Sequence, residues 1–365
     1  MKIQRIEIGK VKIPLKKPFK TALREVHFAE DIIIKVIADS GETGFGNAPP
    51  TAVITGDSQD SVVAAIRDVI GPKIIGREVY DLEEILHIVD TSMLHNSSAK
   101  AAVDIAIHDL FGKLYNIPLY RLFGGYRNTL ISDLTISVNS PEEMVRDSLE
   151  AIGLGYSDLK LKVGVGADID IARVKAIRAA VGNKIKIRLD ANQGWQPKEA
   201  VRTIRKFEDL GLNIELIEQP VKAHDFAGLK FVTDNVDTDI MADEAAYGVY
   251  EVFQLLSMKA CDLINIKLMK AGGLRNAAKI ADMAETMGIE CMMGCMLESK
   301  VGITAAAAIA GGRRAVTRND LDTAMLLAED PVNGGIQFTK NKLLIPDKPG
   351  LGIDDVAGWE PIATK

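Results

Sequence analysis

The first 45 residues of the chain contain two stretches in which β-branched and polar residues alternate, a pattern typical of strands with one buried face. The stretches cover residues 3–15 and 29–39, and Ser40-Gly41-Glu42-Thr43-Gly44 supplies a turn into a third, shorter strand. The pattern predicts an antiparallel meander. Polar loops are predicted at about residues 16–27, between the first two strands, and at about residues 49–61.

Helical spacing replaces this alternation from residue 61 to residue 122. Apolar residues recur three or four positions apart, which is the period of one helix face. The positions that show it are Val62, Ala65, Ile66 and Val69, followed by Ala101, Ile105, Leu110 and Leu114. A sheet followed by helices predicts an α+β domain over residues 1–125.

Short apolar strands alternate with helices after residue 126, an arrangement that favours parallel pairing through right-handed crossovers. The predicted strands are residues 133–138, 159–163, 186–190, 215–218, 239–243, 263–268, 290–295 and 315–320. An ionisable residue lies near the carboxyl end of five consecutive strands, at intervals of 24 to 28 residues: Lys162, Asp190, Glu218, Asp243 and Lys267. A doubly wound sheet would not place such groups at so many strand ends, because its site lies at one switch point.

We therefore predict an α/β fold, a (β/α)7β TIM-like barrel over residues 126–325 with the N-terminal α+β domain as its cap. Residues 326–365 are rich in turn-forming sequences such as Asn333-Gly334-Gly335 and Pro349-Gly350. We expect this segment to form hairpins that return to the capping domain.

Composition excludes several other classes of protein. The 365 residues are 47% hydrophobic and 26% charged with a net charge of −6, which fits a globular protein and gives no reason to expect a nucleic-acid partner. The longest uncharged apolar stretch, residues 301–310, is too short for a membrane-spanning helix, so no membrane association is expected. Cys261, Cys291 and Cys295 do not form the pattern of a disulfide framework, and we expect a cytoplasmic protein.

Three carboxylates end three consecutive strands of the predicted barrel, at the edge where barrel active sites lie. Asp190, Glu218 and Asp243 would converge there and repel one another unless a cation neutralises them. Oxygen ligands without histidine or cysteine suit a hard ion, and Mg²⁺ leaves open positions for substrate oxygens. A single acidic residue at a strand end could equally be a helix cap, but three in register favour a metal site.

Three lysines belong to the same predicted edge. Lys160 and Lys162 lie two apart on one strand and therefore share a face, whereas Lys267 comes from the opposite side of the barrel. A neighbouring ammonium and a divalent cation would both lower a lysine pKa from about 10.4 toward the range of a general base. Two bases on opposite faces of a metal-bound carboxylate could remove an α-proton from one face and return a proton to the other, inverting the stereocentre through an enediolate.

Five motifs in order along the chain resemble those of the muconate-lactonizing subgroup of the enolase superfamily. They are Lys160-Leu161-Lys162, Asp190-Ala191-Asn192, Glu218-Gln219-Pro220, Met241-Ala242-Asp243-Glu244 and Asn265-Ile266-Lys267-Leu268-Met269-Lys270-Ala271-Gly272-Gly273. The resemblance covers essentially the whole chain. It implies that the three carboxylates bind Mg²⁺, that Lys162 and Lys267 form the acid–base pair, and that Lys160 assists the oxyanion.

Within the subgroup, Asp320-Leu321-Asp322 is similar to the paired aspartates that receive the substrate's α-amino group in dipeptide epimerases. Two carboxylates on one strand face suit an ammonium group through charge-assisted hydrogen bonds. The resemblance therefore implies an isomerase that epimerises the C-terminal residue of an L,L-dipeptide. Its partner would be a small-molecule dipeptide, and we expect the protein to be a homo-oligomer.

Side-chain specificity is left open between two interpretations. Arg24, in the loop predicted to close over the barrel mouth, resembles the arginine that meets the glutamate side chain in alanyl-glutamate epimerases. Thr21 lies in the same loop and is a candidate substrate contact. The other interpretation is an apolar pocket for a hydrophobic dipeptide, for which the candidate lining residues are Phe19, Ile54, Met296 and Leu297.

Other functions are weighed against this one. A cycloisomerase or an o-succinylbenzoate synthase would share the lysines and the metal, but Asp320 and Asp322 would then face a substrate without an ammonium group. A barrel retained only for binding would not need every group required for proton transfer. The roles of Glu244 and Glu298 are left open, and Asn47 stands where relatives commonly carry glutamate.

Overall fold

The computed structural model of the chain describes residues 1–21 and 25–362. The first part of the chain forms an antiparallel sheet covered by helices. Its strands are β1 (Ile3–Lys20), β2 (Glu25–Ala38) and β3 (Thr43–Ala48). Its helices are α1 (Gln59–Ala64), a π-helical turn (Ala65–Ile70), α2 (Gly71–Ile74), α3 (Leu82–Thr91), α4 (Ser97–Leu114) and α5 (Leu119–Leu122).

The first two strands are longer than the sequence predicts. The prediction of a loop over residues 16–27 is wrong for residues 16–20 and 25–27, which belong to β1 and β2. The two strands continue past a register shift, so that Phe19 pairs with Val26 and Lys20 pairs with Glu25. Most side chains at 16–20 are exposed or half-buried, so this part of the hairpin has no alternating buried face for the sequence to reveal. The second predicted loop, residues 49–61, ends earlier than expected, since α1 begins at Gln59 behind the N-cap of Ser58.

Helix α4 packs directly against β3, which fixes the capping sheet on the helical layer. A Cβ atom at Gly46 would lie 1.9 Å from the carbonyl oxygen of Ala102, and one at Gly44 would lie 2.1 Å from that of Ala106. Only glycine allows this approach of strand to helix. The last residues of β3 are therefore held closely against α4.

The second part of the chain forms the predicted barrel. Its strands are β5 (Leu134–Ile136), β6 (Asp158–Lys162), β7 (Lys186–Asp190), β8 (Ile214–Glu218), β9 (Asp239–Ala242), β10 (Leu263–Ile266), β11 (Glu290–Gly294) and β12 (Val316–Asp320), after a short strand β4 (Thr129–Ile131). Its helices are α6 (Pro141–Gly153), α7 (Ala167–Val181), α8 (Pro197–Asp209), α9 (Phe226–Thr233), α10 (Val249–Met258), α11 (Leu268–Ala271), α12 (Leu274–Thr286), α13 (Lys300–Gly312) and α14 (Thr323–Leu326).

These eight strands lie side by side in chain order, and every neighbouring pair is parallel. The sheet is nearly closed, because the Asp133 amide before β5 donates a 3.1 Å hydrogen bond to the carbonyl of Asn319 on β12. The fold class is therefore confirmed. Closure places all carboxyl ends of the strands around one mouth.

Between residue 326 and residue 362 the structure describes five short strands, β13 (Val332–Gly334), β14 (Gln337–Thr339), β15 (Lys342–Leu344), β16 (Ile353–Val356) and β17 (Glu360–Ile362). Strand β17 pairs with β1 in register Ile8 to Ile362, so the chain returns to the capping sheet. The domain limits at residues 125 and 325 stay predictions. Across residues 1–21 and 25–362, no helix combines the length and apolar character needed to cross a bilayer.

Candidate active site

The ionisable residues singled out along the barrel lie at its carboxyl-end mouth. Lys162, Asp190 and Glu218 are the last residues of β6, β7 and β8, while Asp243 and Lys267 directly follow β9 and β10. The parallel order of these strands puts the five side chains at one end of the barrel. Strands β6 and β10 are four apart in a ring of eight, so Lys162 and Lys267 approach from opposite sides.

The three carboxylates meet as the sequence predicts. Each of Asp190, Glu218 and Asp243 offers an oxygen atom, and these atoms lie within 4.8 Å of one another. The three residues are 0 to 2% exposed. Asn265 orients the middle one by donating a 2.7 Å hydrogen bond from Nδ2 to Glu218 Oε1. A buried donor set made only of carboxylate oxygens fits a hard divalent cation such as Mg²⁺.

Lysines surround these carboxylates at ion-pair distances. Lys160 Nζ lies 2.7 Å from Glu218 Oε2 and 3.2 Å from Asp190 Oδ2, and Lys162 Nζ lies 2.5 Å from the same Asp190 oxygen. On the other side, Lys267 Nζ lies 2.7 Å from Asp243 Oδ2. Burial of so many charges is tolerable because each ammonium faces a carboxylate.

A fourth lysine, Lys270, was missed by the sequence reasoning. Its fully buried Nζ lies 2.6 Å from Asp243 Oδ1 and also donates to the carbonyls of Asp243 and Asn265. Burial lowers the pKa of this lysine. The signal was present in the spacing, since Lys270 follows Lys267 by three residues within a quoted motif, but the short helix α11 that turns it inward was not foreseen.

We expected neighbouring cations to lower the pKa of the lysines, and this expectation is wrong when only the charges of the protein itself act on them. Burial lowers the pKa of Lys267, but Asp243 and the more distant carboxylates together raise it above its ordinary value. Burial also lowers the pKa of Lys160, but Asp320 and Glu218 raise it well above its ordinary value. The sequence reasoning counted neighbouring cations, whereas in the folded chain each of these lysines directly contacts a carboxylate.

Asp320 and Asp322 both line the cavity that contains Lys160, Lys162 and Lys267. The prediction that they share one strand face is wrong. Strand β12 ends at Asp320, and Asp322 has helical backbone angles as the N-cap of α14. Both still reach the cavity, since the turn after the strand directs the second carboxylate inward.

Thr135 on β5 ties the two aspartates together. Its amide donates a 2.6 Å hydrogen bond to Asp322 Oδ2, and its hydroxyl donates one of 3.4 Å to Asp320 Oδ1. Lys160 holds the remaining oxygen of Asp320 at 2.8 Å. Burial raises the pKa of Asp320, but the lysines outweigh it and bring the pKa to about 2. Burial and the charge of Asp320 raise the pKa of Asp322 to about 6.

The predicted specificity residues are also placed around this cavity, with one exception. The cavity is lined by Phe19, Thr21, Ile54, Met296 and Leu297. Arg24 lies outside the described residues. Lining residues that the sequence reasoning did not assign to the cavity are Val53, Thr135, Asn192, Cys295, Thr323 and Leu326. Asn192 and Cys295 lie at or just after the carboxyl ends of predicted strands, and this position in the sequence could have indicated that they line the cavity.

Glu244, whose role the sequence left open, lies beside the three clustered carboxylates without joining them. Its Oε1 accepts hydrogen bonds of 3.3 Å from Asn192 Nδ2 and 3.2 Å from Gln193 Nε2. Burial and the neighbouring charge of Asp243 raise its pKa to about 7. These contacts connect the loop after β7 with the loop after β9.

Glu298 belongs to a buried cluster where the capping domain meets the barrel. Asn47 Nδ2 donates hydrogen bonds of 3.0 Å to both Asp31 Oδ2 and Glu298 Oε2. Burial and the nearby charge of Asp31 raise the pKa of Glu298 to about 8. Burial also raises the pKa of Asp31, to about 6. Both carboxyl groups around this amide are therefore protonated more readily than exposed ones.

This cluster predicts a pH-dependent stability. The folded-state pKa of Glu298, about 8, lies above its ordinary value of 4.5, so its contribution is complete below about pH 4.5 and is lost as the pH rises to about 8. In the wild type, we expect the free energy of unfolding to fall between pH 5 and pH 8, with a contribution from Glu298 on the order of a few kcal/mol. Glu298→Gln should remove this contribution. Denaturant unfolding at both pH values measures it, with the exposed Glu329→Gln as control. Equal declines in the wild type and Glu298→Gln would contradict this prediction.

Comparison with known proteins agrees with the geometry. Residues 143–355 match the family described as enolase C-terminal domain-like, and residues 4–124 match the mandelate racemase / muconate lactonizing enzyme N-terminal domain. An L-Ala-D/L-Glu epimerase from Clostridium acetobutylicum is 51% identical, with 98% of this chain and 99% of that protein covered. A hydrophobic dipeptide epimerase from Enterococcus faecalis is 44% identical, with 97% of this chain and 99% of that protein covered.

Solved structures give the same result. The substrate-liganded L-Ala-D/L-Glu epimerase from Bacillus subtilis is 52% identical and superposes with a TM-score of 0.97, covering 98% of this chain and 100% of that one. The Enterococcus faecalis dipeptide epimerase complexed with Mg and L-Leu-L-Tyr has a TM-score of 0.94 at 43% identity, covering 97% and 100%. The chain is therefore an isomerase that belongs to the mandelate racemase / muconate lactonizing enzyme family of the enolase superfamily.

Proposed function

We propose that the protein is a Mg²⁺-dependent dipeptide epimerase, which inverts the α-carbon of the C-terminal residue of an L,L-dipeptide. One observation carries the proposal: Lys162 and Lys267 come from opposite strands into one cavity, beside a buried triad of carboxylates and the Asp320 and Asp322 pair. Relatives named as dipeptide epimerases support the same substrate class.

The two lysines supply the proton transfers. With the substrate's α-carbon between them, one amine takes the α-proton from its face and the other ammonium delivers a proton to the opposite face. The carbanion formed between these events carries its charge on the carboxylate oxygens as an enediolate. Lys160 is buried and lines the same cavity, and it would stabilise that charge as a fixed cation.

Asp190, Glu218 and Asp243 would hold the metal. Their buried oxygen atoms, all within 4.8 Å of one another, fit a single divalent ion. Mg²⁺ supplies positive charge where the substrate carboxylate gains negative charge. A cation shared by these carboxylates would also weaken their pull on the lysines, which counters the raised pKa of Lys267.

Asp320 and Asp322 distinguish a dipeptide from other substrates of this fold. They add two carboxylates to the cavity on the side of β5 and β12, where they suit a substrate ammonium group. A cycloisomerase or o-succinylbenzoate synthase substrate carries no such group and would leave these charges unpaired. The pair therefore favours epimerisation over that alternative.

The preferred side chain is not fixed by these contacts. Relatives include enzymes named for L-Ala-D/L-Glu and for hydrophobic dipeptides, and both remain within the proposal. Arg24, proposed for an acidic side chain, lies outside the described residues. Phe19, Ile54 and Met296 favour apolar contact. A cytoplasmic location and a homo-oligomeric state stay predictions.

The test of the function uses deuterium. The full chain with Mg²⁺ is incubated in D₂O with a pooled L,L-dipeptide library, and mass spectrometry reads the products. We expect a one-unit mass gain at the α-carbon of the C-terminal residue, with appearance of the L,D-epimer. Absence of exchange for every dipeptide, together with turnover of a succinylbenzoate precursor, would assign the protein to the lyases instead.

Asp322→Asn tests the ammonium contact. The amide can still accept the hydrogen bond from Thr135, so the cavity keeps its shape. Loss of a charge-assisted bond is expected to raise the KM for a dipeptide by about 10- to 100-fold. An N-acetylated amino acid lacks the ammonium and serves as the control substrate, since any turnover of it should not decrease. An unchanged KM for the dipeptide would show that Asp322 does not receive the ammonium.

A further inference from the structure

The capping domain holds the loop between β11 and α13 at two adjacent residues near the start of α13, Glu298 and Ser299. Glu298 Oε1 accepts a 2.9 Å hydrogen bond from the amide of Met296, while its Oε2 accepts one of 3.0 Å from Asn47. The next residue is held in the same way, because the amide of Ser299 donates a 2.9 Å hydrogen bond to Asp31 Oδ2, the oxygen that Asn47 also contacts. One side-chain amide on β3 thus connects both anchors.

The cluster has no room to rearrange. Asn47 and Asp31 are 0% exposed and Glu298 is 3% exposed. A Cβ atom at Gly302 on α13 would lie 1.8 Å from Glu298 Oε2 and 2.7 Å from Asn47 Nδ2, so this helix approaches the cluster as closely as glycine permits. Strand β3 is itself fixed on α4 through Gly46. The loop geometry is therefore coupled to the position of the capping sheet.

The segment held in this way forms one wall of the cavity. Met296 and Leu297 line it together with Lys162 and Lys267. The Met296 carbonyl accepts a 2.7 Å hydrogen bond from the Thr323 hydroxyl, so both backbone polar groups of this residue are used. A small shift of such a wall changes the space for a substrate side chain while leaving the lysines on β6 and the β10 end in place.

We propose that Asn47 and Glu298 are positioning residues that set the Met296–Leu297 wall and thereby decide which dipeptide side chains the cavity accepts. The inference rests on the proposed function and adds the means of its side-chain selection. Asparagine is suited to this place because one NH₂ group supplies two donors to two carboxyl groups. Leucine at the same position has a similar volume and supplies neither donor.

The test compares Asn47→Leu with Asn276→Leu. Asn276 also bridges the two domains, donating a 3.1 Å hydrogen bond to Asp90 on α3, but it does not line the cavity. Epimerisation of L-Ala-L-Glu, L-Ala-L-Leu and L-Ala-L-Phe is measured for each variant. For Asn47→Leu we expect KM to rise about tenfold for the preferred substrate and the ratios of kcat/KM to shift about fivefold, with kcat within about threefold of wild type.

A second variant and a second measurement protect the test against misfolding. Glu298→Gln keeps the side-chain shape and an acceptor for Met296, and the same redistribution of kcat/KM is expected. Hydrogen exchange of the Met296 amide, followed by mass spectrometry of the 295–299 segment, should become faster in Asn47→Leu than in the Asn276→Leu control.

The outcomes separate this inference from the function on which it rests. If the wild type epimerises no dipeptide of the pooled library, the proposed function fails, while faster Met296 exchange would still support the positioning of the wall. If the wild type is active and both folded variants keep its KM values and kcat/KM ratios, the inference is overturned. A uniform fall in kcat at unchanged KM would also overturn it, because that indicates a general structural effect.

Discussion

Replacing either Lys162 or Lys267 by alanine is expected to reduce epimerisation by about 10³-fold or more, the upper part of the range for a lost general acid or base. The two amines reach one cavity from strands on opposite sides of the barrel, so neither can serve both faces of the substrate. Inversion needs both groups. Exchange of the α-proton needs only the group on the side where that proton lies.

This asymmetry gives each variant its own signature. Each variant is incubated in D₂O with the L,L- and the L,D-dipeptide separately, and deuterium incorporation is followed by mass spectrometry. One lysine variant should retain exchange only from the L,L-epimer and the other only from the L,D-epimer. Lys113→Ala is the matched control, since Lys113 pairs with Asp109 at 3.1 Å in the capping domain, away from the cavity. Full inversion by both variants would show that the assignment of two bases is wrong.

Glu218→Gln is expected to weaken Mg²⁺ binding by about 100-fold or more and to reduce epimerisation accordingly. The variant keeps the size of the side chain and an oxygen that can accept the hydrogen bond from Asn265. It removes one of three negative charges from a buried oxygen cluster, which is what attracts a divalent ion. The effect is therefore electrostatic and should not require a change of fold.

Calorimetric titration of the metal-free protein with Mg²⁺ measures the affinity directly. Glu215→Gln provides the control on the same strand, because Glu215 lies at the amino end of β8 and pairs with Arg188 and Arg318. Chelation of the wild type should abolish activity, and added Mg²⁺ should restore it. A Glu218→Gln protein with the affinity of the wild type would remove Glu218 from the set of metal ligands.

Much of the site could be predicted because a barrel repeats one unit. The spacing between Lys162, Asp190, Glu218 and their successors gave the strand ends without any knowledge of the fold. Parallel closure then required these side chains to share one mouth, and the structure brings them together there. Family membership, inferred from the motifs at the same positions, is confirmed by matches over both domains.

Contacts between distant segments could not be predicted in this way. Lys270 turns into the cluster through a four-residue helix, and Thr135 ties together two aspartates that lie 185 and 187 residues away. The end of the β1–β2 hairpin was predicted as a loop, because its side chains are exposed or half-buried and the sequence there shows no alternating buried face. Each of these features depends on neighbours that the local pattern does not specify.

Local hydrophobic period and residue type were sufficient to predict the repeating strand–helix unit, the chemistry at each strand end and the family. The folded arrangement was needed for the contacts that shift the pKa values at the mouth and for the way in which the capping domain holds the cavity wall. The reason is physical: the pKa of Lys267 and the double hydrogen bond of Asn47 arise from burial beside partners distant in the chain. Burial and proximity of this kind exist only after the two domains have folded together.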